Sequence, residues 1–149
     1  MKKYLSILLL SFIAFINASY LSYKAYIFIK DPLGLTSLCD INKIASCSEV
    51  LRHPLSQIFG IPFPWIALLV YPVIFALAFW GYKSKNIFAA KAIAALSFGG
   101  VLFNGFIIYR EIRFIHAYCL LCLMCSAIIL AIHLLSWKIL CDAKKQKTA

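Results

Sequence analysis

Four long apolar runs constrain the fold of this 149-residue chain more than any other feature. Each run is close to the ~20 residues that an α-helix needs to cross the ~30 Å hydrocarbon core of a bilayer. Tyrosine and tryptophan recur at the ends of the runs, as in the interfacial aromatic belt of membrane proteins. The sequence therefore predicts four transmembrane helices, over roughly residues 4–28, 61–82, 87–109 and 117–138.

The composition agrees with a membrane protein. Hydrophobic residues make up 64% of the chain, whereas soluble domains contain roughly 45–50%. We expect a single domain over residues 1–149 with an all-α integral membrane fold, a four-helix transmembrane bundle. The first run, after Lys2 and Lys3, could instead be a secretory signal peptide. Its apolar stretch is longer than the usual 7–15 residues of a signal peptide, so we interpret it as a retained helix.

The distribution of lysine and arginine predicts the orientation. An even number of spans places both termini on one side, with nine of the 15 basic residues, against six on the other side. Because cytoplasmic loops carry the excess of basic residues, we expect cytoplasmic termini in the cell inner membrane. The net charge of +10 therefore reflects the placement of basic residues that sets the membrane topology. The sequence has no pattern of basic and aromatic residues that would indicate nucleic-acid binding.

The first loop, roughly residues 30–60, is long and contains a cysteine pair, Cys39 and Cys47. Ser46 and Glu49 have the S-x-x-E spacing of a helix capping box. This spacing predicts a short helix with Cys47 in its first turn. Since apolar residues surround it, we expect this helix to lie against the membrane surface and to cap the bundle.

A second cysteine pair, Cys119 and Cys122, lies where the fourth span begins. Two membrane crossings separate this pair from Cys39 and Cys47, so both pairs lie on the same side of the membrane. On the extracytoplasmic side, disulfides form and persist. Thiol–disulfide exchange requires a thiolate that attacks a disulfide sulfur, and a helix N-terminus favours the thiolate. The two pairs are therefore candidates for an electron relay.

Other interpretations of the cysteines remain open at this stage. Cys125 and Cys141 are most simply small apolar residues in a membrane helix. The spacing of Cys119, Cys122 and Cys125 could also provide soft metal ligands in a small membrane metal-binding or scaffold protein. The bacterial iron–sulfur pattern continues to a fourth cysteine followed by proline, which this run lacks. We favour the redox interpretation and expect no metal.

From about Tyr20 to Trp137, the chain resembles the vitamin K epoxide reductase family. The resemblance depends on Cys39-x7-Cys47 with Ser48 directly after it, on Phe59-Gly-Ile-Pro62 and on Tyr118-Cys-x-x-Cys122. Another type of membrane disulfide oxidase, the DsbB-like family, has its CxxC pair in the first loop and a wider pair later. The reverse order in this chain argues for the vitamin K epoxide reductase type.

The resemblance implies a bundle of four helices around a quinone, such as menaquinone or ubiquinone. Cys119 and Cys122 would be the redox centre, with Cys122 donating electrons to the quinone. Cys39 and Cys47 would be the shuttle pair that exchanges electrons with a separate periplasmic thioredoxin-fold (DsbA-like) protein. The expected activity is a quinone-dependent thiol–disulfide oxidoreductase that sustains disulfide bond formation. Which loop cysteine meets Cys119, and the direction of electron flow, stay open.

The same resemblance implies a quinone pocket, for which we expect four residues: Ser48, Phe59, Phe63 and Ser126. Many relatives have asparagine in place of Phe63 and glycine in place of Ala67. Animal members have tyrosine in place of Ser126. Vitamin K epoxide itself is therefore not implied as the substrate.

Overall fold

The computed structural model describes residues 2–31, 40–42, 46–54 and 57–148. Its elements, in chain order, are α1 (Lys2–Lys30), α2 (Cys47–Arg52), β1 (Gln57–Ile58), β2 (Ile61–Pro62), α3 (Phe63–Ser84), α4 (Ile87–Arg110), a π-helical turn (Glu111–Ile115) and α5 (Leu120–Thr148). Four of the helices are long and apolar enough to cross a membrane. The predicted class, an all-α multi-pass membrane bundle with a short helix in its first loop, is confirmed.

The four long helices form a closed ring. Helix α1 packs against α3 and α5, and α4 packs against the same two helices. The short helix α2 packs against α1 and the π turn at one end of the bundle. That end of the bundle is therefore covered, and the first-loop cysteine on α2 lies close to the start of α5.

Small residues allow the helices to approach closely, as is typical of membrane bundles. Alanines such as Ala14, Ala78 and Ala90 are fully buried. At Gly81, an added Cβ would lie 2.5 Å from the ring of Tyr4, so glycine is needed for this contact between α1 and α3. Large apolar side chains cover the outer surface, where lipid replaces water as the solvent.

The buried residues form two clusters along the bundle. One cluster contains isoleucines of all four long helices, among them Ile7, Ile74 and Ile93. The second cluster lies at the α2 end and contains cysteines of both predicted pairs. Its members include Cys47, Val50, Phe63, Cys119 and Cys122. The redox cysteines are thus part of the hydrophobic core.

Local sequence explains where the helices begin. Ser46 caps α2 by accepting a hydrogen bond from the Glu49 N–H at 3.2 Å, as the capping box predicts. Asn86 caps α4 in the same way through the Phe88 N–H at 2.9 Å. Before α3, the two short strands pair as a hairpin whose turn residues, Phe59 and Gly60, both have positive φ. Such turns match the twist of paired strands.

Candidate redox site

The loop half of the site is Cys47, which begins helix α2 and is fully buried. The Asp40 carboxylate lies at the same helix N-terminus. It accepts hydrogen bonds from the Ser48 N–H at 3.0 Å, the Ser46 hydroxyl at 2.8 Å and the Ser48 hydroxyl. Asp40 therefore ties the segment directly after Cys39 to both neighbours of Cys47. Cys39 itself lies outside the described residues.

The bundle half of the site is the pair at the start of α5. Cys119 precedes the helix, and its carbonyl accepts the Leu123 N–H at 3.0 Å. Its sulfur accepts the Cys122 N–H at 3.3 Å. Both cysteines are buried and free. The start of α5 therefore presents two thiols three residues apart, Cys119 just before the helix and Cys122 in its first turn.

The two halves are in contact. The Sγ atoms of Cys47 and Cys119 are 3.1 Å apart, whereas a disulfide bond is about 2.05 Å long. Cys47 is already disulfide-bonded, and Cys119 carries a thiol. A thiolate adjoining a disulfide sulfur is the arrangement from which thiol–disulfide exchange proceeds. Cys47 is therefore in direct contact with Cys119, the first cysteine of the pair.

A cavity of about 460 Å³ lies beside Cys122. Its volume falls within the 300–1,000 Å³ that is usual for small-molecule sites. Most of its wall is apolar. The wall is built from four helices, and its aromatic, polar and sulfur-containing residues are Phe63, Tyr71, Phe103, Asn104, Cys122 and Cys125. A flat, largely apolar ring with a few polar atoms fits such a wall.

Polar groups on this wall are held by the bundle. The Tyr71 hydroxyl donates to the Cys125 carbonyl at 3.3 Å. The Ser126 hydroxyl donates to Asn104 Oδ1 at 3.0 Å, and the Asn104 amide donates to the Gly100 carbonyl at 2.8 Å. These bonds fix the orientation of Tyr71 and Asn104, the polar side chains available to a ligand.

The four residues expected at the quinone pocket lie in different places. Phe63 lines the cavity, and Ser126 bonds to Asn104 on its wall. Ser48 bonds to Asp40 on the loop side. Phe59 lies at the tip of the hairpin with its side chain fully exposed, at 101%. Of the four, Phe63 lines the cavity and Ser126 lies one hydrogen bond away from its wall.

Sequence reasoning missed four polar residues near the centre: Asn17, Tyr71, Asn104 and Glu111. Asn17 donates to the Leu121 carbonyl at 2.9 Å and to Cys125 Sγ at 3.0 Å. A usable signal was present, because polar residues inside membrane spans are costly and usually functional. Glu111 is 1% exposed although it is an acid.

Four helices able to span a membrane, with a thiol pair in contact with a disulfide-bonded cysteine, form the arrangement expected of a membrane thiol–disulfide oxidoreductase. The model of the vitamin K epoxide reductase family matches residues 5–137. The chain therefore belongs to this family, as its resemblance predicts. Family members generally use quinone-type cofactors and thioredoxin-like partners. A comparison with curated proteins gives no match.

Proposed function

We propose that this protein oxidises the dithiol of a thioredoxin-fold partner and passes two electrons to a membrane quinone. The observation that supports this most is the 3.1 Å contact between the Cys47 and Cys119 sulfurs, next to a cavity on which Cys122 lies. One chain of contacts therefore runs from the loop disulfide to a ligand-sized space.

The relay uses two exchange steps. Starting from a reduced loop, the Cys47 thiolate attacks Cys119 in a Cys119–Cys122 disulfide and releases the Cys122 thiolate. The Cys39 thiolate then attacks Cys47 in the mixed disulfide and releases the Cys119 thiolate. The loop has lost two electrons and the centre has gained them. The products have the bonding described here, with Cys47 in a disulfide and Cys119 and Cys122 free.

In this scheme Cys39 exchanges with the partner protein and Cys47 with the centre. The contact of Cys47 with Cys119 supports this division of roles, because a sulfur buried against the bundle is closed to a second protein. Cys39 would then attack, or be attacked by, the partner's cysteine.

The cavity residues would hold the quinone. Phe63 and Phe103 offer aromatic faces, and Tyr71 and Asn104 offer polar atoms. The chemistry that a bound quinone would supply is the acceptance of two electrons and two protons. Cys122 lies on the cavity wall, so its thiolate is the donor on the protein side. Menaquinone, ubiquinone and similar quinones all meet these requirements.

The orientation belongs to the same proposal. The basic residues favour cytoplasmic termini in a cell inner membrane. The loop disulfide and the centre then lie on the extracytoplasmic side, where substrate proteins need disulfides. Electron flow from the partner to the quinone would sustain disulfide bond formation in that compartment.

A single substitution tests the proposal. In Cys122→Ser protein, quinone reduction by a reduced dithiol should fall by at least about 100-fold, because the donor sulfur is lost. On an alkylated peptide map, Cys39 and Cys47 should accumulate as thiols, because no Cys119–Cys122 disulfide remains for the Cys47 thiolate to attack.

The matched control is Cys141→Ser, at an exposed position in the last part of α5. It should reduce quinone at the rate of the unchanged protein. Equal turnover of Cys122→Ser and Cys141→Ser would contradict the proposed function.

A further inference from the structure

Glu111 is a buried acid that takes no part in the exchange steps between the cysteines. It begins the π turn after α4 and is 1% exposed. Acidic side chains are almost never fully buried unless they are paired. In the described part of the chain, an ion pair joins Lys3 to Asp142, in the opposite half of the bundle, and none involves Glu111. Glu111 therefore needs another reason for its position.

The contacts of Glu111 lead to the redox centre. Its Oε2 accepts the N–H of Cys119 at 3.4 Å. Its Oε1 is buried and has no hydrogen-bond partner among the described residues. A buried polar atom without a partner is costly, and such atoms often indicate a catalytic role. One carboxyl oxygen is therefore anchored beside Cys119 while the other is available.

Other charged groups nearby are directed elsewhere. The Arg110 guanidinium lies over the ring of Phe106, 5.6 Å from its centroid. Arg113 and His116 are exposed. On the loop side, Glu49 is exposed and Asp40 is bonded to serines. Glu111 is thus the buried carboxyl group that is hydrogen-bonded to the backbone of Cys119.

The exchange steps require proton transfer at that thiol. Cys47 and Cys119 are both fully buried, so bulk water does not reach the Cys119 sulfur. A thiolate released into an apolar site is unfavourable unless a proton or a cation reaches it. A buried carboxyl group that is bonded to the backbone of the same cysteine and has one unpartnered oxygen can supply the proton, or accept it when the exchange runs in reverse.

We infer that Glu111 is the proton-transfer residue of the Cys119 thiol, an inference that rests on the proposed function. As Cys39 attacks Cys47 in the mixed disulfide, the Cys47–Cys119 bond breaks and the electron pair stays on Cys119. The protonated Glu111 carboxyl transfers its proton to that sulfur and becomes a carboxylate. In reverse, the carboxylate takes the proton from Cys119 as its sulfur attacks Cys47.

A purely structural role for Glu111 predicts a different result. In that case the carboxyl only orients Cys119 through its backbone N–H, and glutamine would do the same with its side-chain carbonyl. Glu111→Gln therefore keeps an acceptor and removes the exchangeable proton. Loss of orientation would reduce formation of the mixed disulfide, whereas loss of the proton would slow its resolution.

The test uses the full chain in quinone-free detergent micelles, oxidised at both cysteine pairs. One equivalent of reduced dithiothreitol is added, samples are quenched in acid, and alkylated peptides are counted by mass spectrometry. In Glu111→Gln protein, the Cys47–Cys119 mixed disulfide should accumulate, and release of Cys119 should slow on the order of 100-fold, the lower end for proton-transfer groups. Glu49→Gln, an exposed acid, is the matched control and should behave as the unchanged protein.

Each outcome bears on one proposal. Resolution of the mixed disulfide in Glu111→Gln at the unchanged rate would overturn the role of Glu111. So would failure of that variant to form the mixed disulfide when the unchanged protein forms it, because orientation would then be the cause. If the unchanged protein passes no electrons from its loop to Cys119 and Cys122, the proposed function fails, and this inference fails with it.

Discussion

Replacement of Asp40 by alanine should loosen helix α2 without unfolding the bundle. The Asp40 carboxylate accepts three hydrogen bonds, from the Ser48 N–H and from the hydroxyls of Ser46 and Ser48. Bonds to a charged group contribute about 1.5–3 kcal/mol each when they are buried. Asp40 is half-buried and the serine hydroxyls can turn to water, so we take about 2 kcal/mol for the set. At 1.4 kcal/mol per factor of ten, local opening of α2 should increase about 30-fold.

Amide hydrogen exchange in nanodiscs measures this opening. In Asp40→Ala protein, the amides of Ser48, Glu49 and Val50 should exchange about 30-fold faster, while amides within α3 keep their rates. Asp40→Asn retains one acceptor oxygen and should fall between the two proteins. Asp142→Asn, which removes a carboxylate near the other end of the bundle, should leave α2 unchanged. Exchange rates in Asp40→Ala within threefold of the unchanged protein would refute the view that this carboxylate holds α2.

Two further predictions compare matched positions. Gly81→Ala should lower the free energy of unfolding by about 1–3 kcal/mol, because the new methyl group meets the ring of Tyr4. At Gly105 a Cβ meets open space, so Gly105→Ala should change the free energy of unfolding in detergent by less than about 0.5 kcal/mol. Equal effects at both glycines would argue against this packing. Phe63→Ala should raise the KM for quinone about tenfold, as expected for loss of a buried aromatic contact. Phe59→Ala should shift this KM less than about twofold, because the Phe59 ring is fully exposed. A larger effect of Phe59→Ala than of Phe63→Ala in a titration with quinone would show that the cavity is not the quinone site.

Much of the architecture was predictable because membrane helices leave strong local signals. The four apolar runs predict the four spans, since each must satisfy its backbone hydrogen bonds within one helix. The capping box predicts that Ser46 begins α2, and the structure confirms it. Counting spans also places Cys47 and Cys119 at the same end of the bundle, although it gives no distance between them.

The site was less predictable because its residues meet through packing rather than through spacing. Phe59 and Phe63 are four residues apart, yet the positive φ of Phe59 in the hairpin turn directs the chain so that only Phe63 reaches the cavity. Glu111 lies just after the span predicted over residues 87–109, where an acid is ordinarily a solvated flanking charge. Helix α2 packs against the π turn at this end of the bundle, although the two are far apart in the sequence. No local sequence pattern therefore predicts that Glu111 is buried.

The π turn has a consequence for the helical phase of this region. A π turn holds one residue more per hydrogen-bonded loop than an α turn, and each residue of an α-helix turns the side-chain direction by about 100°. Deletion of a single residue between Ile112 and Ile115 would restore ordinary α geometry and rotate the following segment relative to α4. The Glu111 carboxyl and the Cys119 N–H would then lose their alignment, although the sequence of both cysteine motifs would be unchanged. In the proposed relay, the position of the acid therefore depends on the helical register of this turn as well as on the cysteine motif.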